Sequence, residues 1–328
     1  MNRLKLSIAT TDYDHFRDFR LGTVQAEGIE ATWSMLGHHE VFARFTFNRE
    51  WDAAELSFAK FMAQVTRKNS DIIGLPVICS RLFRFSSFYV NRKSKIRGPK
   101  DLKGKTVGSP EWAHTAAVYM RGWLNDEHGV GLKDIHWHQA GANEAGRIEK
   151  VELSLPKGVK LTRIADKSLS EMLATGDIDC AIIARPPDCF RAGHPDVVRL
   201  FPEFWEMEEK YYLRTKVWPI MHIIALQKRV LDGNPWVARN LYNAFLASKN
   251  RSVERMSDPA VSRYPLAWVP TYARKMRDLF GDPFPYGIEE NSPTWEQMAR
   301  YSHEQGIAHR HVKPEEIFPK GVMTDVKV

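Results

Sequence analysis

Residues 101–129 read DLKGKTVGSPEWAHTAAVYMRGWLNDEHG. A polar turn at Lys103-Gly104-Lys105 leads into a short strand at Thr106-Val107-Gly108, and the loop 109–114 opens a helix at Thr115. Residues 168–183, SLSEMLATGDIDCAII, form a second helix-to-strand unit, in which an amphipathic helix stops at Gly176 and a buried strand covers 178–183. Strand ends and a helix N-terminus then face a common cleft, which is where small anions bind. The pattern predicts a clamshell that closes on a small molecule, in preference to a surface that tracks a polymer.

Working outward from this unit, 4–9 (LKLSIA) alternates apolar and polar residues and reads as the first strand; 29–35 reads as another. Val41, Phe42 and Phe45 have helical spacing within 38–47. A short strand at 53–57 and a short helix at 58–66 follow, then a buried strand at 72–79 interrupted by Pro76, which predicts an edge or a bend. The β-rich run 85–91 is expected to cross to a second lobe over 92–215, with strands near Thr106, 135–138, 178–183 and 197–200. After the acidic, helix-like FWEMEEKYY, the strand 217–226 should return the chain to the first lobe. From Asn234 onward the chain reads as mostly helical, with Asn234-Pro235 and Ser292-Pro293 as helix starts. The expected architecture is α/β and two-lobed. Residues 1–91 and 216–328 make a discontinuous first lobe with a helical C-terminal region, and the ligand cleft lies between the lobes.

A chain of 328 residues with 43% hydrophobic and 11% aromatic residues can build two cores and is not disordered. The net charge of +7 is spread along the chain. Its densest patch, NRKSKIR at 91–97, reads as a solvated connection, so neither nucleic acid nor a membrane surface is expected as partner. A small anionic substrate uses the surplus best, and the composition leaves self-association open. Cys79, Cys180 and Cys189 lack metal-ligand spacing and read as reduced thiols. The N-terminal MNRLKLSIATTDYD has no secretory h-region, and no run is apolar enough to span a bilayer. A cytoplasmic location is expected.

DLKGKTVGSPE, ATGDIDCAII and the double crossing resemble the type II periplasmic binding proteins, especially the aliphatic-sulfonate and thiamine-pyrimidine branch. The fragments MNRLKLSIATTDYD, AAELSFAKF, PVICSRLFRFSSFYVN, ARPPD, LFPEF, PIMH, DPFPYGIEEN and EQGIAHRHVKPEEIF together resemble the 4,5-dihydroxyphthalate decarboxylase family over nearly the whole chain. That resemblance implies a type II periplasmic-binding-protein-like fold. It also implies loss of one carboxylate from 4,5-dihydroxyphthalate, giving protocatechuate, without an organic cofactor. The chain departs from the family pattern at Phe85, where relatives carry His, and at His114; both positions are expected near the ligand.

Such a reaction needs a proton donor near the ring, a partner for the phenol and cations for the carboxylates. Each hydroxyl of 4,5-dihydroxyphthalate lies para to a carboxylate, so its ionisation pushes electron density onto the carbon that loses carbon dioxide. No phosphate-loop or dinucleotide fingerprint is present. Arginine is the natural carboxylate clamp, and the candidates are Arg81, Arg84, Arg147 and Arg185, each of which could instead serve a surface ion pair. His222, in the returning strand, is the first candidate for proton donor, with a structural histidine as the other reading. His114, beside a helix N-terminus, should be neutral and suit a hydrogen-bond partner. Glu55 could accept the phenol proton or hydrogen-bond within its lobe. Ser57, Ser86 and Thr115 could donate to the ligand, and Trp112 could stack on its ring or act as hydrophobic cover. His136-x-His138 and His309-x-His311 have ligand-like spacing but no third ligand nearby, so no metal is expected. Two functions remain, a decarboxylase and a non-catalytic solute-binding protein for an aromatic carboxylate, because one scaffold can serve both.

Overall fold

The alternation in LKLSIAT buries Leu6 and Ile8 and produces β1 (Leu4–Thr10). In the computed structural model, which describes residues 3–323, this strand pairs in parallel with β2 (Ile29–Met35) and β3 (Ala53–Ser57). The outermost residues assigned to the first lobe, 1–2 and 324–328, lie outside the described residues. The next strand, β4 (Ile72–Arg81), forms an edge. A 3-10 turn at Phe85–Ser87 then delivers the chain to a second sheet. Its strands are β5 (Phe88–Asn91), β6 (Thr106–Ser109), β7 (His136–Gln139), β8 (Lys160–Arg163), β9 (Cys180–Ile182) and β10 (Val197–Arg199). They are ordered β10-β5-β9-β6-β7-β8. Because β5 already pairs with β9 and β10, the crossing falls ahead of residue 88, slightly earlier than the expected boundary at 91. The β8 strand escaped the sequence reading because KLTR is solvent-facing and carries no buried alternation.

Helix Phe204–Thr215 carries the chain back to the first sheet, where β11 (Ile220–Gln227) inserts antiparallel between β3 and β4. The first sheet therefore runs β2-β1-β3-β11-β4. Pro76 fulfils both halves of its expectation. It lies on the edge strand, and the β11–β4 register jumps from Ile223↔Ile78 to Ile224↔Leu75, a bulge spanning Pro76 and Val77.

The helices start and stop where their end chemistry dictates. Ser168 and Glu171 form a reciprocal capping box before helix Leu169–Thr175, and Gly176 ends it at φ 85°, a left-handed conformation that glycine adopts without a Cβ penalty. Helix Thr115–His128 packs on helix Ser292–Glu304. Any Cβ at Gly122 would run into the Tyr301 ring, so this close approach requires glycine. The Trp112 indole donates to the Gln305 carbonyl at 2.7 Å and Arg121 Nε donates to Gln305 Oε1 at 2.7 Å, which docks the second lobe on the C-terminal helices. Pro235 is the N-cap of helix Trp236–Ser257, so this helix starts one residue later than the expectation of Pro235 at its first position. Among the described residues, no helix is long and apolar enough to cross a membrane.

Candidate active site

Strand register gathers the first three residues of the site. In β11, His222 pairs with Ser57 of β3 on one side and Ser80 of β4 on the other, and all three line one cavity of about 320 Å³. The parallel strands β6 and β9 aim their carboxyl ends at the same space, so Pro110, Ile183, Ala184 and Arg185 complete its far wall. The volume lies at the small end of ligand pockets, roughly 300–1,000 Å³, and suits one substituted ring.

Beneath the wall, Glu55 is fully buried. Its Oε1 accepts from the Tyr13 hydroxyl at 2.6 Å and lies 2.7 Å from His222 Nδ1; its Oε2 accepts from the Thr11 N–H at 2.8 Å. Burial pushes the Glu55 carboxyl up, but the hydrogen bond and charge of His222, with Tyr13 and the Thr11 amide, outweigh it and hold the group at about 2. Burial and the Glu55 charge drive the Tyr13 phenol far upward, so Tyr13 keeps its proton and donates it. An ionised carboxylate can only accept, so His222 Nδ1 carries hydrogen and Nε2 is the ring nitrogen left for a ligand. Phe42 packs edge-on against the His222 ring at 4.8 Å, and His38 stacks on it at 5.7 Å.

Four cations line the cavity: Lys60, Arg84, Arg147 and Arg185. Two of them are already matched. Glu111, wholly buried, pairs with Lys60 at 2.6 Å, Arg147 at 2.6 Å and Lys150 at 2.8 Å. Those three charges overcome burial and hold its carboxyl well below the usual range. Arg84 and Arg185 form no salt bridge among the described residues. Arg84 Nε contacts Met221 Sδ at 3.1 Å, and its Nη1 donates to the Ala184 carbonyl at 3.5 Å. Burial draws Arg84 down to about 10, which leaves it charged at neutral pH. Arg84 is half-buried with Glu208 as the leading negative charge acting on it, and Arg185 is exposed; two guanidinium groups outside any salt bridge in one cavity make a receptor for carboxylates.

The Thr115 hydroxyl joins the lobes, lying 2.9 Å from the Ser57 hydroxyl and accepting from the Ala59 N–H at 3.1 Å. His114 is the N-cap of the helix that starts at Thr115. Its Nδ1 is buried without a hydrogen-bond partner. Burial, then the Arg84 and Lys60 charges, push it far below the ordinary histidine range, so the ring is neutral. The neutrality agrees with expectation; its main cause is burial.

A relative from Comamonas testosteroni described as 4,5-dihydroxyphthalate decarboxylase is 35% identical over 330 residues, covering 100% of both chains. A second of that description, from Pseudomonas putida, is 37% identical over 202 residues, covering 61% of this chain and 78% of its own. The chain belongs to the 4,5-dihydroxyphthalate decarboxylase family. No protein-family model matches it. Among solved structures, the periplasmic aliphatic sulphonate binding protein of Escherichia coli superposes with a TM-score of 0.55 at 10% identity, covering 98% of this chain and 99% of that one. A desulfurization enzyme gives a TM-score of 0.52 at 12% identity, covering 98% of each chain. These likenesses establish the type II periplasmic-binding-protein-like fold of this decarboxylase-family member.

Of the residues picked from sequence, His222, His114, Ser57, Thr115, Arg84, Arg147 and Arg185 line the one cavity. Four do not. Glu55 lies behind His222 with both oxygens engaged, so it cannot take a proton directly from a phenol and acts through the imidazole. Arg81 is the main correction. Strand side chains alternate, so with Ser80 facing the cavity Arg81 faces away. Its guanidinium donates to the carbonyls of Pro285 at 3.1 Å and Trp218 at 2.8 Å, and lies 4.1 Å over the Trp218 ring. Trp112 is buried against Trp137 and Arg121 and serves as cover. Ser86 belongs to the crossing turn, where Glu208 Oε1 accepts from the neighbouring Phe85 N–H at 3.1 Å. Phe85 packs against Trp123 and Tyr211, so that departure from the family pattern falls outside the cavity while His114 falls inside.

The sequence reading missed Tyr13, His38, His39 and Lys60, all in the cavity wall. Tyr13 follows the carboxyl end of β1, and the two histidines follow that of β2. The strand-end rule applied to residues 101–129 would have found them. Lys60 was signalled by a lone charge in the apolar run FAKFMAQV. Among the described residues no group of three or more His, Cys, Asp or Glu has metal-ligand geometry.

Proposed function

We propose that this cavity binds a dihydroxylated aromatic dicarboxylate, 4,5-dihydroxyphthalate by likeness to the two relatives, and acts as a carboxy-lyase that yields protocatechuate and carbon dioxide. One observation supports it above the rest: two arginines that form no salt bridge among the described residues, Arg84 and Arg185, face a carboxylate-backed imidazole across a single ring-sized cavity. A diacid offers one carboxylate to each of them. Each arginine can hold a carboxylate by a charge-assisted, two-pronged hydrogen bond.

The chemistry then follows from the charge pattern. Ionisation of the hydroxyl para to one carboxylate raises electron density at the carbon bearing that group. The cationic wall stabilises the extra charge as it forms. His222, carrying a proton on Nε2 with Glu55 as counter-ion, delivers that proton to the ring carbon. The bond to the carboxylate breaks, its electron pair returns through the ring to the phenolic oxygen, and carbon dioxide departs. Three free cysteines accord with action in the cytoplasm.

The test is direct. The purified protein is incubated with 4,5-dihydroxyphthalate while carbon dioxide and protocatechuate are measured together. Equal yields of both are expected. Tight binding with neither product would replace the enzyme by a solute-binding protein.

A further inference from the structure

The decarboxylation must handle protons at two places, because the ring carbon that gains one and the hydroxyl that loses one lie at opposite ends of the ring. His222 can serve only one of them. We propose that His38 is the second catalytic residue, the base that takes the proton of the hydroxyl para to the departing carboxylate. This inference rests on the decarboxylase reading of the cavity.

His38 opens helix His38–Asn48 just beyond the carboxyl end of β2 and is half-buried in the cavity wall. Its ring stacks on that of His222, with centroids 5.7 Å apart and planes 27° from parallel. Two imidazoles so placed can reach two ends of one bound ring. The other histidines of the wall are otherwise placed. His39 Nδ1 lies 3.5 Å from Arg147 Nη2, and His114 is a buried helix cap. Among the described residues His38 has ring contacts only, with His39, Phe42 and His222, and no hydrogen bond to either ring nitrogen.

The surroundings separate the two stacked rings chemically. His222 has a carboxylate at 2.7 Å. His38 has none. Its setting is the helix N-terminus beneath it, His222 above it, and the Arg185 and Arg147 guanidinium groups; Glu55 acts on it only from behind His222. Burial first, then His222, Arg185 and Arg147, move His38 below the ordinary histidine range, with Glu55 opposing. A neutral imidazole beside an ion-paired one is a base beside an acid.

The steps balance. The unprotonated nitrogen of His38 takes the phenolic proton, and the O–H pair stays on oxygen. His222 gives its Nε2 proton to the para carbon, and the broken C–C bond returns its pair to that oxygen as carbon dioxide leaves. His38 gives its proton back to the phenolate, and water reprotonates His222. Overall one proton is consumed for each carbon dioxide released.

The experiment compares wild type with His38→Gln and His38→Ala, with circular dichroism as a folding control. Turnover of 4,5-dihydroxyphthalate should fall by about 10²-fold or more while KM changes only a few-fold. The acid-side limb of the kcat profile should vanish in His38→Gln, and added imidazole should restore His38→Ala. Bound protocatechuate serves as an independent probe: wild type at neutral pH should show the red-shifted absorption of a phenolate, and His38→Gln should not. Full turnover in His38→Gln with an unchanged acid limb would overturn the role of His38 while leaving the decarboxylase reading intact. Should wild type itself fail to release carbon dioxide, that reading falls. The absorption comparison still judges His38, and an identical phenolate band in both proteins overturns it.

Discussion

Replacing Glu55 by Gln preserves the shape of a fully buried side chain and removes its charge. The amide oxygen can keep the Thr11 N–H, which leaves the NH2 group facing the Tyr13 hydroxyl and His222 Nδ1. To meet that donor, His222 must turn Nδ1 into an acceptor and carry its hydrogen on Nε2, and its protonated form loses its counter-ion. Unit charges about 4 Å apart at an effective dielectric constant of about 20 interact by roughly 4 kcal/mol. At about 1.4 kcal/mol per factor of ten, that sets a ceiling of ~10³ on the rate loss. Tyr13 can rotate its hydroxyl to accept from the new amide and recover part of this. The expected fall in kcat is therefore ~10²–10³, with KM within a few-fold because Arg84 and Arg185 are untouched. Stability adds a second readout. The Glu55 carboxyl lies at about 2 in the folded protein, below an unfolded value of roughly 4.3. Its ionised form therefore contributes stability above pH ~4.3 that is lost as pH falls toward 2. The stability gap between wild type and Glu55→Gln should narrow over that window, as measured by urea unfolding at pH 7 and pH 3. A folded variant with kcat within about threefold of wild type would refute the dyad, because the effect to be lost is ~10² or more.

The arginines make two further predictions. Arg84→Ala and Arg185→Ala should each weaken binding of the diacid by about 10- to 100-fold, the worth of a charged hydrogen bond at ~1.5–3 kcal/mol, and affect protocatechuate less. Calorimetry on both ligands checks this, and equal losses for diacid and monoacid would contradict a clamp on two carboxylates. Arg81→Met should instead remove one of two donors from each of the buried Pro285 and Trp218 carbonyls, which keep Asn291 Nδ2 and the Thr294 hydroxyl, and cost about 0.5–1.5 kcal/mol of stability for each bond lost. Its KM for the diacid should stay unchanged. A raised KM with intact stability would return Arg81 to the binding wall.

What the sequence disclosed, and what it withheld, follows from the range of the forces involved. Local signals were legible. The 101–129 unit, the helix stop at Gly176 and the bend at Pro76 are each decided within a few residues, and the strands built on them fell where expected. The second crossing was legible because 217–226 is an apolar strand isolated from its neighbours. The site was half legible. His222 and Glu55 stood out as polar groups in buried strands, but their contact at 2.7 Å depends on β11 inserting beside β3, a pairing across 167 residues. Arg81 and Arg84 look equivalent in SRLFR. Only the pleat, with Ser80 turned to the cavity, shows that Arg81 must face the other way. Glu111 read as a loop residue because its three cationic partners come from two distant segments.

Binding and chemistry separate at one residue, His222. Substrate dissociation constant and single-turnover rate are compared for wild type and His222→Gln. A dissociation constant within a few-fold of wild type is expected, because the arginines hold the carboxylates, together with a release of carbon dioxide slowed by about 10²–10⁴-fold. A His222→Gln protein that releases carbon dioxide at the wild-type rate would contradict that expectation.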